Sequence, residues 1–564
     1  MIAIVAAFCF GALGDHGIYF HDDETFRDNE ALATDPGFFF SSGREHRAGR
    51  PVASLVKWWS FAAVDNQPGA AHLIVVIAHA AASVLLAWVC TRLGLSLIAG
   101  LLTGLLFLVN VAHFQAVFHI SALDFPLALL FGLAAWVLRH HQDPSWRTRL
   151  AAGACLVIAI SCHLSAVALL PLWVYETWRE SGDWRLALRR HAASGVVVAV
   201  AAIGLLAMTP VRTTTSASLQ HAGTDPLGAV AGSGRMLCWM AARLVTTAHW
   251  LPVELGDRTT VELVFGAIVL IGLVALAWRQ GGQVGAAAVW TLVFLAPFAL
   301  ISEQLATRGR EGPSHYMYLA SAGASMLLAM GIQSLARRLD GRWRGRGWML
   351  TSVCALGITG SSIWALGELL PMSLYNSGRY LFDRDPATSV QYLRRTIDAG
   401  GGVVPLHEVY LRLALALPLA GQDPYPVLQE AASRYPTSAY VQGGIAVREM
   451  ESPDPRARER GAQRLQQAAE LAANQGQQET FGTNIAALCH NLGVAYERVG
   501  APERAIPLYH RALDWNPDPA ASRRRLVSAY LLLVEKLAAG GDPAGAAAAG
   551  DSARAYAGSE SLAF

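Results

Sequence analysis

Eleven runs of apolar residues constrain the fold of this chain more than any other feature of its sequence. Several approach the roughly 20 residues that an α-helix needs to cross a bilayer. Hydrophobic residues make up 53% of the 564 positions and charged residues 15%, a composition typical of polytopic membrane proteins. The sequence therefore predicts an all-α bundle of about eleven transmembrane spans. The runs are 2–19, 70–90, 95–111, 117–138, 150–162, 164–178, 193–209, 261–278, 285–301, 316–336 and 348–370.

Net charge and cysteine use exclude some classes of function. A net charge of +2 is small for this length, so no overall positive field predicts a nucleic-acid partner. The seven cysteines form no C-x-x-C pair, and most of them lie inside the apolar runs. We interpret them as core residues, with neither a zinc site nor a disulfide framework. They are Cys9, Cys90, Cys155, Cys162, Cys238, Cys354 and Cys489.

Arginine placement predicts the orientation of the spans. Short connections rich in arginine alternate with longer connections of mixed charge, and the arginine-rich ones belong on the cytoplasmic side. We interpret run 2–19 as an uncleaved anchor, because no basic region precedes it. We interpret segment 233–251 as an interfacial helix. Counting it as a twelfth span would put the later arginine-rich connections on the non-cytoplasmic side. Eleven spans then place loop 20–69 and the C-terminus together on the non-cytoplasmic face.

The loop after the first run carries the strongest chemical pattern of the membrane part. Asp22 and Asp23 directly follow that run, Arg50 stands later in the loop, and His72 and His79 begin the next run. We interpret this arrangement as a reaction site at the membrane surface. In the alternative interpretation the carboxylates cap a helix and keep the loop soluble.

Beyond about residue 375 the composition becomes that of a soluble helical domain. One window fits the small and large positions of a tetratricopeptide repeat, a helical hairpin with a 34-residue period. Such hairpins bury their apolar faces only by stacking, so we predict four or five units in one short solenoid over 375–564. The last unit is expected to fade in the Ala- and Gly-rich segment 540–550. The matching residues are Leu492, Gly493, Tyr496, Ala505, Tyr509, Ala512 and Pro517.

Short motifs follow one another in a set order through the membrane part. They are Phe20-His21-Asp22-Asp23, Asn29, Arg50-Pro51, His72, His79, 111–117, 161–171 with Tyr175, and 314–321. In this order, together with the closing repeats, they resemble the transmembrane and tetratricopeptide repeat O-mannosyltransferases. That family belongs to the GT-C glycosyltransferases, membrane enzymes that use lipid-phosphate-linked sugars. The resemblance covers most of the chain, and the order of the motifs is more specific than any one of them.

The resemblance implies a GT-C-like bundle over 1–374 with a catalytic first external loop, 20–69. It implies transfer of a sugar, mannose first among the candidates, from a lipid-phosphate donor to a hydroxyl on a protein. The implied partners are the lipid-linked donor, membrane lipids, and an acceptor or partner protein held by the repeats; nucleic acid is not among them. The implied location is a bacterial inner membrane, with the first loop and the repeats in the periplasm. No cofactor is assigned, and a divalent metal ion is left open.

The chemistry of such a transfer assigns roles to particular residues. A hydroxyl acceptor needs a carboxylate to take its proton, and the resemblance gives this role to Asp22 and Asp23. The departing phosphate needs cationic partners, for which Arg50 is a candidate because a guanidinium fits phosphate oxygens. Arg235 and Arg243 are further cations considered for the phosphate. The other candidate substrate-binding residues are His72, His79, His113, Gln115, Asp124, His163, His315, Tyr316 and Tyr318.

The chain departs from the family pattern in three places. Gln115 stands where that pattern has an acidic residue, Cys162-His163 where it has Lys-Glu, and Ser314-His315 where it has Glu-Arg. These departures favour a second class of function, a non-catalytic membrane scaffold whose repeats assemble envelope proteins. A third class, an O-oligosaccharide ligase, is expected to have a longer late external loop than 302–315.

Two further patterns have a structural interpretation that we favour. His72 and His79 lie on nearly one face of a helix, and we predict buried hydrogen-bonded histidines rather than a metal site. Asp383-Arg384-Asp385 resembles the D-x-D of nucleotide-sugar enzymes, but it stands before Pro386 and predicts a helix cap. The sequence contains no Gly-rich phosphate loop, H-E-x-x-H or G-x-S-x-G motif, which weighs against nucleotide hydrolysis, zinc proteolysis and serine esterase chemistry.

Overall fold

The computed structural model describes residues 1–17, 50–140, 145–208, 225–246, 260–299, 314–343, 346–515 and 520–557. These residues form 23 α-helices and no β-strand, which confirms the all-α prediction for this part of the chain. Asp22 and Asp23, the predicted catalytic pair, lie outside the described residues. Contacts divide the chain into two compact units, Met1–Leu370 and Pro371–Phe564.

The helices up to residue 381 follow the apolar runs closely, with short 3₁₀ turns between some of them. The α-helices are α1 Ile2–Phe10, α2 Pro51–Ala62, α3 Pro68–Arg92, α4 Leu97–Leu108, α5 Gln115–Phe118, α6 Asp124–Arg139, α7 Trp146–Cys162, α8 Leu169–Ser181, α9 Trp184–Met208, α10 Pro226–Thr246, α11 Thr260–Arg279, α12 Gly282–Ala299, α13 Tyr318–Trp343 and α14 Arg346–Leu381. The 3₁₀ turns are Gly11–Asp15, Val111–His113, Ile120–Leu123, Leu164–Ala168 and Ser314–Met317.

Five described helical segments are long and apolar enough to cross a membrane: Pro68–Arg92, Ile120–Arg139, Trp184–Leu205, Thr260–Arg279 and Ser314–Asp340. Their length and composition are compatible with an integral membrane protein. The count of eleven spans stays a prediction.

The apolar run 117–138 differs from the single helix that its length suggests. Helix α5 ends at Phe118, and the extended backbone of His119 interrupts the helical hydrogen bonds before α6 begins. As a result, the Asp124 side chain lies in the first turn of α6. The positive end of the helix dipole favours a carboxylate at that position.

The two ends of α6 belong to different ends of the helix bundle. Beyond its last turn, the Gln283 amide donates to the Leu93 carbonyl, and Arg179 donates to the Trp278 carbonyl at 3.1 Å. These bonds bring together the arginine-rich ends of α3, α8 and α11 with the start of α12. The first turn of α6 lies about 24 Å away, since its 16 residues each rise 1.5 Å.

The second unit consists of short helices that pack mainly as antiparallel pairs. The pairs are α15 with α16, α18 with α19, α20 with α21, and α22 with α23. The helices are α15 Pro386–Asp398, α16 Leu406–Leu419, α17 Tyr425–Arg434, α18 Ala439–Met450, α19 Pro455–Asn474, α20 Gln478–Arg498, α21 Pro502–Trp515, α22 Ala520–Ala539 and α23 Pro543–Ala557.

Helices α20 and α21 approach each other closely at Gly493, while the tetratricopeptide solenoid stays a prediction. A Cβ atom on Gly493 would lie 2.6 Å from the Tyr509 ring, so this position requires glycine. Helix α16 packs on α20, which is two pairs further along the chain, and the Asn491 side chain donates to the Leu415 carbonyl at 2.7 Å. This long-range contact closes the core across the intervening helices.

Both ends of this unit test sequence interpretations. The Asp385 carboxylate accepts from the Thr388 backbone N–H at 3.1 Å, which confirms the predicted helix cap. The Ala- and Gly-rich segment 540–550, expected to lose regular structure, is instead largely inside α23. Alanine has the highest helix propensity. Two alanines of this segment, Ala546 and Ala549, are buried and pack α23 into the unit.

Candidate functional site

A buried cluster of charges lies at the first turn of α6. The Asp124 side chain is fully buried and forms an ion pair with Arg50, the residue before α2. Lys57 lies 3.6 Å from the same carboxylate and also donates to the Ser121 carbonyl. Among the described residues, two cations thus surround one carboxylate, and this set of three carries one positive charge in excess.

The local sequence places both cations over the Asp124 carboxylate. Pro51 begins α2, so Arg50 occupies the helix start, and Lys57 follows two turns later on the same face. The Lys57 side chain is 5% exposed, whereas that of Arg50 is 36% exposed and reaches the surface of the cluster. Isolated buried charges are costly, so the carboxylate is what allows these cations to be held here.

His163 lies beside this cluster. It begins the turn after α7, and its ring centroid is 4.3 Å from that of Phe125, the residue after Asp124. The charges of Arg50, Lys57 and Asp124 all interact with it. The structure therefore brings three predicted site residues, Arg50, Asp124 and His163, into one place.

A second group joins α3, α13 and the turn after α4. The His79 Nε2–H donates to the Leu108 carbonyl at 3.0 Å, and its Nδ1 accepts from the Tyr318 hydroxyl at 2.8 Å. The Ser321 hydroxyl donates to the Tyr318 carbonyl, which leaves its oxygen to accept from His113 Nδ1–H at 2.7 Å. His79 and His113 are both buried and hydrogen-bonded, as predicted for His79 from the sequence.

Gln115 and His315 form a third, uncharged contact. His315 donates both its Nδ1–H, at 2.9 Å, and its backbone N–H, at 3.3 Å, to the Gln115 side-chain oxygen. The neighbouring Tyr316 ring stacks on Phe298 at 4.5 Å. These two hydrogen bonds fix the chain segments around Gln115 and His315 together.

Phe125 connects these groups. Its ring centroid lies 5.5 Å from that of His315 and 6.4 Å from that of Tyr318, in addition to its contact with His163. The predicted residues on α6, α13 and the adjoining turns therefore line one end of the bundle. His72 belongs to a separate contact, in which its Nε2–H donates to the Gly17 carbonyl at 2.9 Å.

Sequence reasoning missed Lys57 and Phe125. Lys57 is the first of only two lysines in the chain, and it follows Arg50 by seven residues, which puts both on one helical face. That spacing was a readable signal. Phe125 has no such signal, because one phenylalanine in an apolar run does not reveal which rings it will contact.

Comparison of the chain with protein-family models, with curated proteins and with solved structures finds no match. The site is therefore interpreted from its own geometry. Within the described ranges, no group of three or more His, Cys, Asp or Glu residues is arranged to hold a metal ion.

Arg243, another cation considered for the phosphate, has a different environment. It is buried on α10, where its Nε lies 2.8 Å from Glu262 of α11 and its guanidinium lies over the Trp239 ring. Helix α10, which contains the start of the segment interpreted as interfacial, packs along α11 through this pair. The positive charge of Arg243 is thus paired with the Glu262 carboxylate.

A second ion network lies at the last turn of α6. Arg139 pairs with Glu176 of α8 at 2.5 Å and also donates to the Trp173 carbonyl and the Thr177 hydroxyl. The Glu176 carboxylate accepts from the Trp136 indole at 3.0 Å as well. A cavity of about 300 Å³ opens beside Glu176, so the cavity and the Asp124 cluster lie at different ends of the bundle.

Proposed function

We propose that this protein is a GT-C-type membrane glycosyltransferase. It transfers a sugar, with mannose as the first candidate, from a polyprenyl-phosphate donor to a hydroxyl on a protein. The catalytic carboxylates are Asp22 and Asp23, and the phosphate partners are Arg50 and Lys57. The reaction takes place on the periplasmic face of a bacterial inner membrane, where the isoprenoid tail of the donor lies between the spans.

The observation that carries this proposal is the pairing of two cations, Arg50 and Lys57, with one carboxylate, Asp124, in the part of the site that the structure describes. A departing lipid phosphate is an anion, and cations in a low-dielectric site stabilise it far more than cations in water. The Arg50 side chain is 36% exposed, so part of it is accessible to a ligand. Arg50 follows Asp22 and Asp23 within the predicted loop 20–69, so base and phosphate partner belong to one segment of the sequence.

The second unit supports a role in holding a protein. Its antiparallel pairs and the close contact of Gly493 with Tyr509 are features of tetratricopeptide hairpins. Stacked hairpins of this kind present extended surfaces to partner chains. In the proposed enzyme this unit holds the acceptor protein or a partner protein near the reaction.

The experiment supplies purified full-length protein with a panel of polyprenyl-phosphate-linked sugars and hydroxyl-containing acceptor peptides. We expect transfer from at least one donor. Replacing the responsible carboxylate, by Asp22→Asn or Asp23→Asn, should reduce turnover by roughly 10²- to 10⁴-fold while donor binding is retained, because only the proton acceptor is lost. Arg50→Ala should weaken donor binding as well as turnover, since its charge contacts the phosphate before the reaction.

Asp65→Asn is the matched control. Asp65 is exposed in the connection between α2 and α3, and its left-handed backbone, with φ of 51°, suits asparagine as well as aspartate. Its turnover should equal that of the parent. Parent-like turnover in both Asp22→Asn and Asp23→Asn, or absence of transfer from every donor, would reject the enzyme and favour the membrane scaffold, which the neutral Gln115–His315 contact also suits.

A further inference from the structure

One ring nitrogen of His163 is buried without a hydrogen-bond partner. The other, Nδ1, accepts from the Ser165 backbone N–H at 3.3 Å and from the Ser165 hydroxyl at 2.6 Å. A backbone N–H can only donate, so Nδ1 holds a lone pair and the ring proton is on Nε2. Residue His163 is 5% exposed, and its Nε2 has no partner among the residues that the structure describes.

A buried donor without an acceptor is uncommon in native proteins and requires an explanation. Two other histidines of the bundle provide a contrast: both nitrogens of His79 are bonded, and His191 bonds the Thr177 hydroxyl at 2.8 Å. The partner that His163 lacks has to be an acceptor, because Nε2 carries the proton.

The position of His163 indicates which kind of acceptor fits. Its ring lies against Phe125, directly after Asp124, and within electrostatic range of Arg50 and Lys57. Within the described ranges that cluster has two cations to one carboxylate, and this surplus favours an anion over an ammonium group or a metal ion. A phosphate oxygen satisfies both the N–H donor and the surplus charge, and N–H groups bond charged oxygens more strongly than neutral ones.

We propose that His163 Nε2–H donates a hydrogen bond to a phosphate oxygen of the ligand that Arg50 and Lys57 hold. The proposal rests on the proposed function and adds a residue of this chain that the family pattern does not supply. Ser165 acts through His163, because its two bonds to Nδ1 fix the tautomer and the ring orientation. The ligand class is a phosphate ester, and the experiment separates a lipid phosphate from free phosphate.

The test measures ligand binding to the full-length protein in detergent, from the rise in unfolding midpoint with ligand concentration. The probes are a short polyprenyl phosphate, the matching polyprenol and inorganic phosphate. In the parent, polyprenyl phosphate should bind and the polyprenol should not, since the alcohol lacks the charged oxygens.

Variants at His163 decide the inference. His163→Leu and His163→Phe remove the donor with smaller and larger apolar groups, and each that folds should raise the Kd for polyprenyl phosphate about tenfold or more. His163→Gln keeps an N–H at a similar reach and should change the Kd by less than about threefold. His191→Leu, which removes a buried histidine near the other end of α6, should leave the Kd unchanged.

Each outcome is decisive. Parent-like affinity in His163→Leu or His163→Phe overturns the inference and leaves the glycosyltransferase proposal intact if transfer persists. Loss of affinity in His191→Leu as large as in the His163 variants also overturns it, because the effect would then be a general one on the fold. His163-dependent binding of inorganic phosphate alone supports the inference and rejects the lipid donor. A parent that binds no phosphate compound rejects both proposals.

Discussion

Helix α6 has a buried ion network at each end, and the two networks differ in how completely their charges are matched. At its last turn, the Arg139 guanidinium is met by the Glu176 carboxylate, the Trp173 carbonyl and the Thr177 hydroxyl. At its first turn, one carboxylate faces both Arg50 and Lys57. Both networks have the sign that the helix dipole favours, with the acid at the start and the base at the end.

The difference separates a structural network from a binding site. A charge whose hydrogen bonds are all made within the protein has little to offer a ligand. In the part of the chain that the structure describes, the first-turn network retains more positive than negative charge, a partly exposed Arg50 side chain and a nearby histidine donor, His163 Nε2, without a partner. For this reason we propose ligand binding at Asp124 rather than in the cavity beside Glu176.

The largest expected effect comes from Asp124→Asn. This change removes the carboxylate that pairs with Arg50 and Lys57, and losing one partner of a buried pair typically costs about 3 to 5 kcal/mol of unfolding free energy. Chemical unfolding of the purified protein in detergent measures it. Asp183→Asn is the control, because Asp183 is an exposed cap of α9 and asparagine caps equally well. Equal stability of both variants would show that Asp124 does not balance the two cations.

Glu176→Gln should have a smaller effect on stability and none on ligand binding. Arg139 keeps its two neutral acceptors, so we expect a loss of about 2 kcal/mol of unfolding free energy, below the usual cost of breaking a buried pair. The comparison is Glu180→Gln, an exposed glutamate one turn later on α8. A reduced affinity for polyprenyl phosphate in folded Glu176→Gln would remove the functional distinction between the two ends of α6.

The smallest effect concerns Glu451, a buried carboxylate of the second unit. It pairs with Arg448 and accepts from the Tyr496 hydroxyl at 3.1 Å. Burial raises the pKa of the Glu451 carboxyl above its ordinary value of 4.5, and the positive charge of Arg448 opposes that rise only in part. The folded state therefore holds this proton more tightly than the unfolded chain does. Its contribution to stability is full below pH 4.5 and is lost as the pH rises through the folded pKa.

Hydrogen exchange in α18 and α20 measures this dependence. Between about pH 4.5 and 7, the protection of the parent relative to Glu451→Gln should decrease as the pH rises. Glu470→Gln, an exposed glutamate of α19, should track the parent across the range. An increase with pH in place of the decrease would mean that the pairing with Arg448 outweighs burial.

Much of the helical architecture was predictable from local pattern. Run 261–278 corresponds to α11 and run 70–90 to α3, since long apolar stretches favour helices whatever their neighbours are. The cap at Asp385 was predictable for a similar reason, because a capping bond joins residues three positions apart. The break before Asp124 was not, since the run 117–138 is apolar except at His119, Ser121 and Asp124.

The sequence by itself determined that this chain is helical, that its first part is rich in long apolar segments, and at which positions along the chain the charged and polar residues lie. These properties depend on composition and on spacings of a few residues. Only the tertiary structure decided that Asp124 meets Arg50 from 74 positions away, that Lys57 joins them, and that His79 meets Tyr318 from 239 positions away. Such contacts depend on how whole helices pack, and a pattern within one helix contains no information about which partner will face it.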